Sequence, residues 1–208
     1  MLEKLKNKFL LATLIAIACF GCKKNTTGPL YPSAYMQYVL DPENGLIQKK
    51  TIGGFTLVLQ YKPIEFMALQ VLKNENVTKR EIDNLKEKFS DNENFTLRIE
   101  SKNNASNVLK QGINNKEAYY QRLDYLTADV IQDFKLINNT DTIFCALHHF
   151  ERYDGLAPYV DIVLAFPKAR THSDLRFEYD DHIFGLGKIK FIVNEKDIQH
   201  IPELKTLY

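Results

Sequence analysis

Three places in this sequence gather side chains capable of chemistry. Asp180-Asp181-His182 is the densest polar cluster. Two carboxylates beside an imidazole can hold a cation or move a proton. Consecutive acids after a strand are also ordinary turn chemistry, and a surface turn is the expectation for these residues. His148-His149 is the second place. Neighbouring strand residues point to opposite faces, so one ion is not shared by the pair. His149, Asp161 and His172 remain a set that folding can bring together, although their spacing matches no zinc motif. The third place is Tyr119, Tyr120 and Tyr125. A tyrosine joins an apolar ring to a hydrogen-bonding tip, which suits a carbohydrate or peptide and equally suits half-buried helix packing. Cys145 lies in the run Ile143-Phe144-Cys145-Ala146-Leu147 and is expected to be a small core residue rather than a nucleophile.

Other reaction signatures are missing from the sequence. There is no Gly-x-Ser-x-Gly elbow. Gly53-Gly54 and Gly185-Leu186-Gly187 lack the surrounding glycines and the Lys-Ser/Thr ending of a phosphate loop. The 208 residues hold 27 basic and 26 acidic side chains, so nothing in the charge balance calls for nucleic acid.

The elements that must position these residues are those of an α+β domain, a mostly antiparallel sheet with two or three helices packed on it. Residues 33–39 read as a short helix capped by Ser33, and residues 41–45 as a turn. Residues 51–61 alternate as a strand entered through Gly53-Gly54, with Phe55, Leu57, Leu59 and Tyr61 on one face. Pro63 opens a helix whose stripe is Ile64, Met67, Ala68, Val71 and Leu72. Thr78-Lys79-Arg80-Glu81 is a capping box, with Val77 and Ile82 as its hydrophobic staple. Phe95, Leu97 and Ile99 mark a half-exposed strand. Asn114 and Glu117 are placed to cap a third helix along Tyr119, Leu123, Leu126 and Val130; residues 129–137 fit neither period. Residues 143–150, apolar on both faces, read as a central strand. A turn at Asp154-Gly155 pairs it with residues 159–166. Residues 175–179 and 189–193 alternate as two further strands.

The start of the chain carries an address. Lys4, Lys6 and Lys8 precede an apolar run at residues 9–18, followed by Cys19-Phe20-Gly21-Cys22-Lys23-Lys24. The run is shorter than the roughly 20 residues that span a bilayer, and the arrangement reads as a secretory signal. It resembles the leader of bacterial lipoproteins, which implies cleavage after Gly21 and lipidation of Cys22; Cys19, after Ala16-Ile17-Ala18, is the rival site. With residues 1–21 set aside, 24 basic and 25 acidic side chains remain. Cys145 is then left without a partner and no disulfide is expected. Residues 38–46, 59–63 and 67–69 also resemble Gram-negative lipoproteins of unassigned activity. Asp141-Thr142-Ile143 resembles the short O-glycosylation sequon of some Gram-negative exported proteins.

The expected organisation is a signal peptide at 1–21, a tether at 22–32 and a single globular domain at 33–208. The expected role is a non-enzymatic binding or scaffolding lipoprotein of the cell envelope, facing the periplasm from the inner or outer membrane. Its partners would be the bilayer, through palmitate-type acylation of Cys22, and an envelope protein or glycan. No metal, cofactor or nucleic acid is expected. The alternatives are a tethered metal-dependent hydrolase using Asp180-Asp181-His182, and a carbohydrate- or peptide-binding module.

Overall fold

A computed structural model describes residues 28–102, 107–153 and 157–207. The leader with Cys19 and Cys22, and the Asp154-Gly155 turn, lie outside the described residues. The architecture is α+β, with nine strands in two antiparallel sheets and five helices among the described residues.

Sheet I runs in the order β1-β2-β3-β7-β6, and sheet II in the order β5-β4-β8-β9. In sheet I these are β1 (Ile47–Ile52), β2 (Phe55–Lys62), β3 (Asn92–Ser101), β6 (Leu147–Glu151) and β7 (Tyr159–Pro167). Sheet II holds β4 (Phe134–Asn138), β5 (Asp141–Phe144), β8 (Leu175–Asp181) and β9 (Gly187–Val193). The alternation in β2 and β3 puts Leu57, Leu59, Phe95, Leu97 and Ile99 on the face that meets sheet II, all fully buried. Phe177 of β8 lies at the centre, with ring centroids of Phe95, Phe134, Phe166 and Phe191 at 5.6, 5.8, 6.0 and 6.3 Å.

Several expectations change at this level. Gly53-Gly54 leads into β2 as expected, but it is also the two-residue turn of a β1–β2 hairpin, so Thr51 and Ile52 belong to β1. Both glycines take the positive φ, +57° and +86°, that such turns require. Because β1 is mostly polar and four of its six residues are exposed, its sequence carries no alternation to read. Residues 143–150 are not one central strand. They are parts of two edge strands, β5 of sheet II and β6 of sheet I, with the chain crossing between sheets at Cys145-Ala146. The inward phase slips by one at the crossing. Ile143 pairs with buried Leu136 before it, and His148 and Phe150 pair with buried Leu164 and Ile162 after it. Apolar residues therefore accumulate at both parities, which imitates a two-sided strand. Phe144 and Leu147, next to the crossing, are 65% and 58% exposed. β3, by contrast, is more buried than its alternation implies, because it is the middle strand of sheet I.

The helices plug the ends of the sandwich. At one end β2 passes through Pro63, the N-cap of α2 (Ile64–Leu72), then through α3 (Lys79–Phe89) into β3. The helix α1 (Pro32–Leu40) packs on α2. Its N-cap is Tyr31 with Pro32 at the first turn, so Ser33 is not the cap. The buried stripe of α2 is Phe66, Ala68 and Leu69, and α2 packs against α1 and α3; Val71 is outside the stripe and 57% exposed. Both the entry and the exit of the described chain lie at this end. Leu30 bridges Leu204, and Thr78 of the α2–α3 connection bridges Leu207. The short α5 (Glu195–Gln199) precedes that exit.

At the other end β3 leads to the 3-10 turn Val108–Lys110 and then to α4 (Lys116–Asp124). The cap of α4 is Asn115, whose side chain accepts the Ala118 N–H at 2.7 Å, one residue beyond the expected Asn114. A π-helical turn (Tyr125–Asp129) and a 3-10 turn (Val130–Asp133) carry the chain into β4, and the stretch that fits neither period is this 3-10 turn running directly into the strand.

Candidate binding groove

Arg122 organises the second end. It sits on α4 one turn from Tyr119, on the face that should be apolar, and is 6% exposed. Its guanidinium donates to the carbonyls of Leu109 and Gln111 at 3.0 and 2.9 Å and to that of Ile183 at 3.3 Å. It also stacks over Phe184 at 4.6 Å, and Phe184 in turn meets Phe55 at 5.1 Å. One buried cation thus ties α4, the 108–111 turn and the β8–β9 loop together. Burial pulls its pKa below that of an ordinary guanidinium, partly opposed by Asp181. The sequence signal for Arg122 was a charge interrupting a helical apolar stripe.

Against this frame lies an open groove of about 540 Å³. Tyr119 and Tyr120 form one wall, their rings edge-to-face at 5.5 Å and 75°. Tyr119 is half-buried, whereas Tyr120 is 54% exposed. Lys110 reaches over the Tyr119 ring at 5.9 Å. Ile113, Asn114, Asn115 and Lys116 complete the helix side, and Arg152 closes the far side. Tyr125 is not part of this wall; its hydroxyl is buried without a hydrogen-bond partner.

Behind Tyr119 a narrow cleft leads to the outer face of sheet I, past Tyr153 and Tyr159. There Arg98 grips Asp161 with two hydrogen bonds of 2.7 Å and stacks on Tyr159 at 3.7 Å. The hydrogen bonds to Asp161 raise the pKa of Arg98 above its ordinary value. The Tyr153 hydroxyl lies 2.7 Å from Glu151 and 2.9 Å from Asp161. Lys62, half-buried on the same face, has its pKa lowered by burial against the pull of Glu151 and Asp161. Every acid in this cluster already meets a donor, so it joins β3, β7 and β6 rather than offering a free base.

The other candidates fall apart spatially. Asp181 is 5% exposed, and its carboxylate accepts from the Tyr179 hydroxyl and from the backbone N–H groups of Ile183, Phe184 and Leu186. It is the lock of the β8–β9 loop and not a surface turn residue. Asp180 pairs with Lys188, and exposed His182 stands 3.6 Å from Asp133. His148 faces inward, its Nε2 3.0 Å from the Thr127 carbonyl, while His149 points out and is exposed. Asp161 is taken by Arg98, and exposed His172 lies in the β7–β8 loop. Among the described residues no three His, Cys, Asp or Glu side chains are grouped as metal ligands. Cys145 is half-buried, its thiol pushed up to about 11 by burial. Asp141 and Thr142 are exposed on edge strand β5, beside a second groove of about 550 Å³ lined by Phe144, Lys168 and Arg170.

No helix among the described residues is long and apolar enough to cross a membrane. Compared with known proteins, the chain matches no family model, no curated protein and no solved structure.

Proposed function

We propose that this chain is a lipid-anchored protein of the bacterial cell envelope whose globular domain binds a partner without transforming it. The leader supports the anchor. One structural observation carries the binding role: an open groove of aromatic, amide and cationic side chains at the end of the sandwich opposite the point where the chain enters. The eight residues of β2 separate the two ends by roughly 25 Å. A tether at residues 22–32 would join the domain at the end remote from the groove. Its volume lies within the roughly 300–1,000 Å³ of small-ligand sites.

Two measurements test this reading. Cys22→Ser should move the protein out of the membrane fraction or stall its processing; unchanged membrane retention removes Cys22 as the anchor. The full chain should retain members of a combined glycan and peptide array, and Tyr120→Ala should lose them. If neither array yields retention above that variant, the binding role is wrong.

A further inference from the structure

We infer that the Tyr119–Tyr120 groove takes an acidic oligosaccharide, with a sugar ring on the exposed Tyr120 and the sugar's anionic group between Lys110 and Lys116. This deepens the binding role proposed above and rests on it. The first argument is charge. Lys110 and Lys116 line the groove and, among the described residues, no carboxylate does, although the chain as a whole has 27 basic and 26 acidic side chains. A local field of one sign in a neutral protein concentrates ligands of the other sign. The N-terminus of α4, at Asn115 and Lys116, adds its partial positive charge to the same wall.

The second argument is the form of the apolar surface. It consists of two tyrosine rings and the single aliphatic side chain of Ile113. A flat ring face beside a cation suits a sugar ring bearing an acid. Lys110 over Tyr119 at 5.9 Å already sets that juxtaposition. Asn114 presents an amide that both donates and accepts, as vicinal hydroxyls require. The Asn115 carbonyl oxygen is occupied by its cap, which leaves its NH₂ to donate.

The third argument separates a sugar from an acidic peptide. An extended peptide gains affinity by pairing with a free strand edge. The described lining is a helix, a 3-10 turn, the residues joining them and Arg152, which follows edge strand β6; no strand residue is among the described lining residues.

Calorimetric titration of the full chain with trigalacturonate, maltotriose and triglutamate decides the matter. Trigalacturonate should bind at least about tenfold more tightly than either of the others, the worth of roughly one charge-assisted hydrogen bond. Its affinity should fall in high salt, and again roughly tenfold in Tyr120→Ala and in Lys110→Ala/Lys116→Ala. All three residues are exposed or at the surface, so circular dichroism should be unchanged in the variants. Equal binding of maltotriose overturns the acidic preference, and tighter binding of triglutamate makes the ligand a peptide; both leave the binding role standing. Trigalacturonate affinity unmoved by the lysine double variant, or no binding of trigalacturonate, overturns the inference. The binding role itself is then judged by the array.

Discussion

Four donors converge on the Asp181 carboxylate, from Tyr179 at 2.9 Å, Ile183 at 3.2 Å, Phe184 at 3.1 Å and Leu186 at 2.7 Å. Asp181→Ala leaves them facing a buried void, and each buried donor without an acceptor costs on the order of 1–3 kcal/mol. We expect a loss of about 3 kcal/mol or more in urea denaturation. His182→Ala, one residue on and exposed, should stay within about 0.5 kcal/mol of the parent. Equal losses would contradict the assignment of Asp181 as the loop lock. Around the sheet crossing, Leu147→Ala should cost less than about 1 kcal/mol because the side chain is already mostly in water. Leu164→Ala, fully buried in β7, should cost about 2–5 kcal/mol. Alkylation of Cys145 at neutral pH should be slow and accelerate in denaturant, because little thiolate exists when the thiol titrates at about 11. Fast labelling of the native protein would show that the crossing is open.

Among the elements, α3 has the most explicit local instructions. The Thr78 hydroxyl accepts the Glu81 N–H at 3.3 Å, and Glu81 accepts the Thr78 N–H at 2.8 Å. Thr78→Ala should lower stability by about 1 kcal/mol at neutral pH, read from denaturation midpoints. The Glu81 carboxyl is held below its ordinary value by the Thr78 backbone N–H and then by the Thr78 hydroxyl. A depressed folded-state pKa means that the stabilisation is complete above the unfolded pKa, roughly 4.3. It is lost as pH falls through the lower folded value. The gap between parent and Thr78→Ala should therefore narrow on going from pH 7 to pH 3. A constant gap would mean that the carboxylate takes no part in the cap.

For the whole molecule, the seam between β1 and β9 decides whether the two sheets behave as a sandwich or as a closing barrel. On one side the chain itself crosses from β5 to β6. On the other, the Gln48 side-chain amide donates to the Ile192 carbonyl and accepts the Ile192 N–H at 3.2 Å, filling the place of a peptide group. Gln48→Ala removes that bridge and exposes both edges. Hydrogen exchange at Ile192 should speed up by roughly tenfold, the equivalent of about 1.4 kcal/mol, with a smaller global loss. Unchanged exchange at Ile192 would mean that the seam is held by something other than Gln48.

The capping box, the alternation of β2 and β3 and the helix along Tyr119 were legible because each is written within a few residues. The sequence by itself therefore determined the α+β class; the leader is read from residues outside the described ones. It did not reveal that residues 143–150 serve two sheets, since a phase slip between two edge strands has the same composition as one buried strand. It did not reveal β1, whose polar residues are held by pairing with β2 rather than by burial. Nor did it separate Asp181 from Asp180, because only the fold turns three backbone N–H groups and a tyrosine hydroxyl onto one of two adjacent carboxylates. The groove belongs to the same kind. Most of its lining comes from residues 110–120, but Arg152 is far along the chain from them, and only tertiary structure, with Arg122 binding α4 to the 108–111 turn, sets them around one cavity. Local hydrogen bonds and periodicity are encoded by neighbours in sequence, whereas sites are made by neighbours in space.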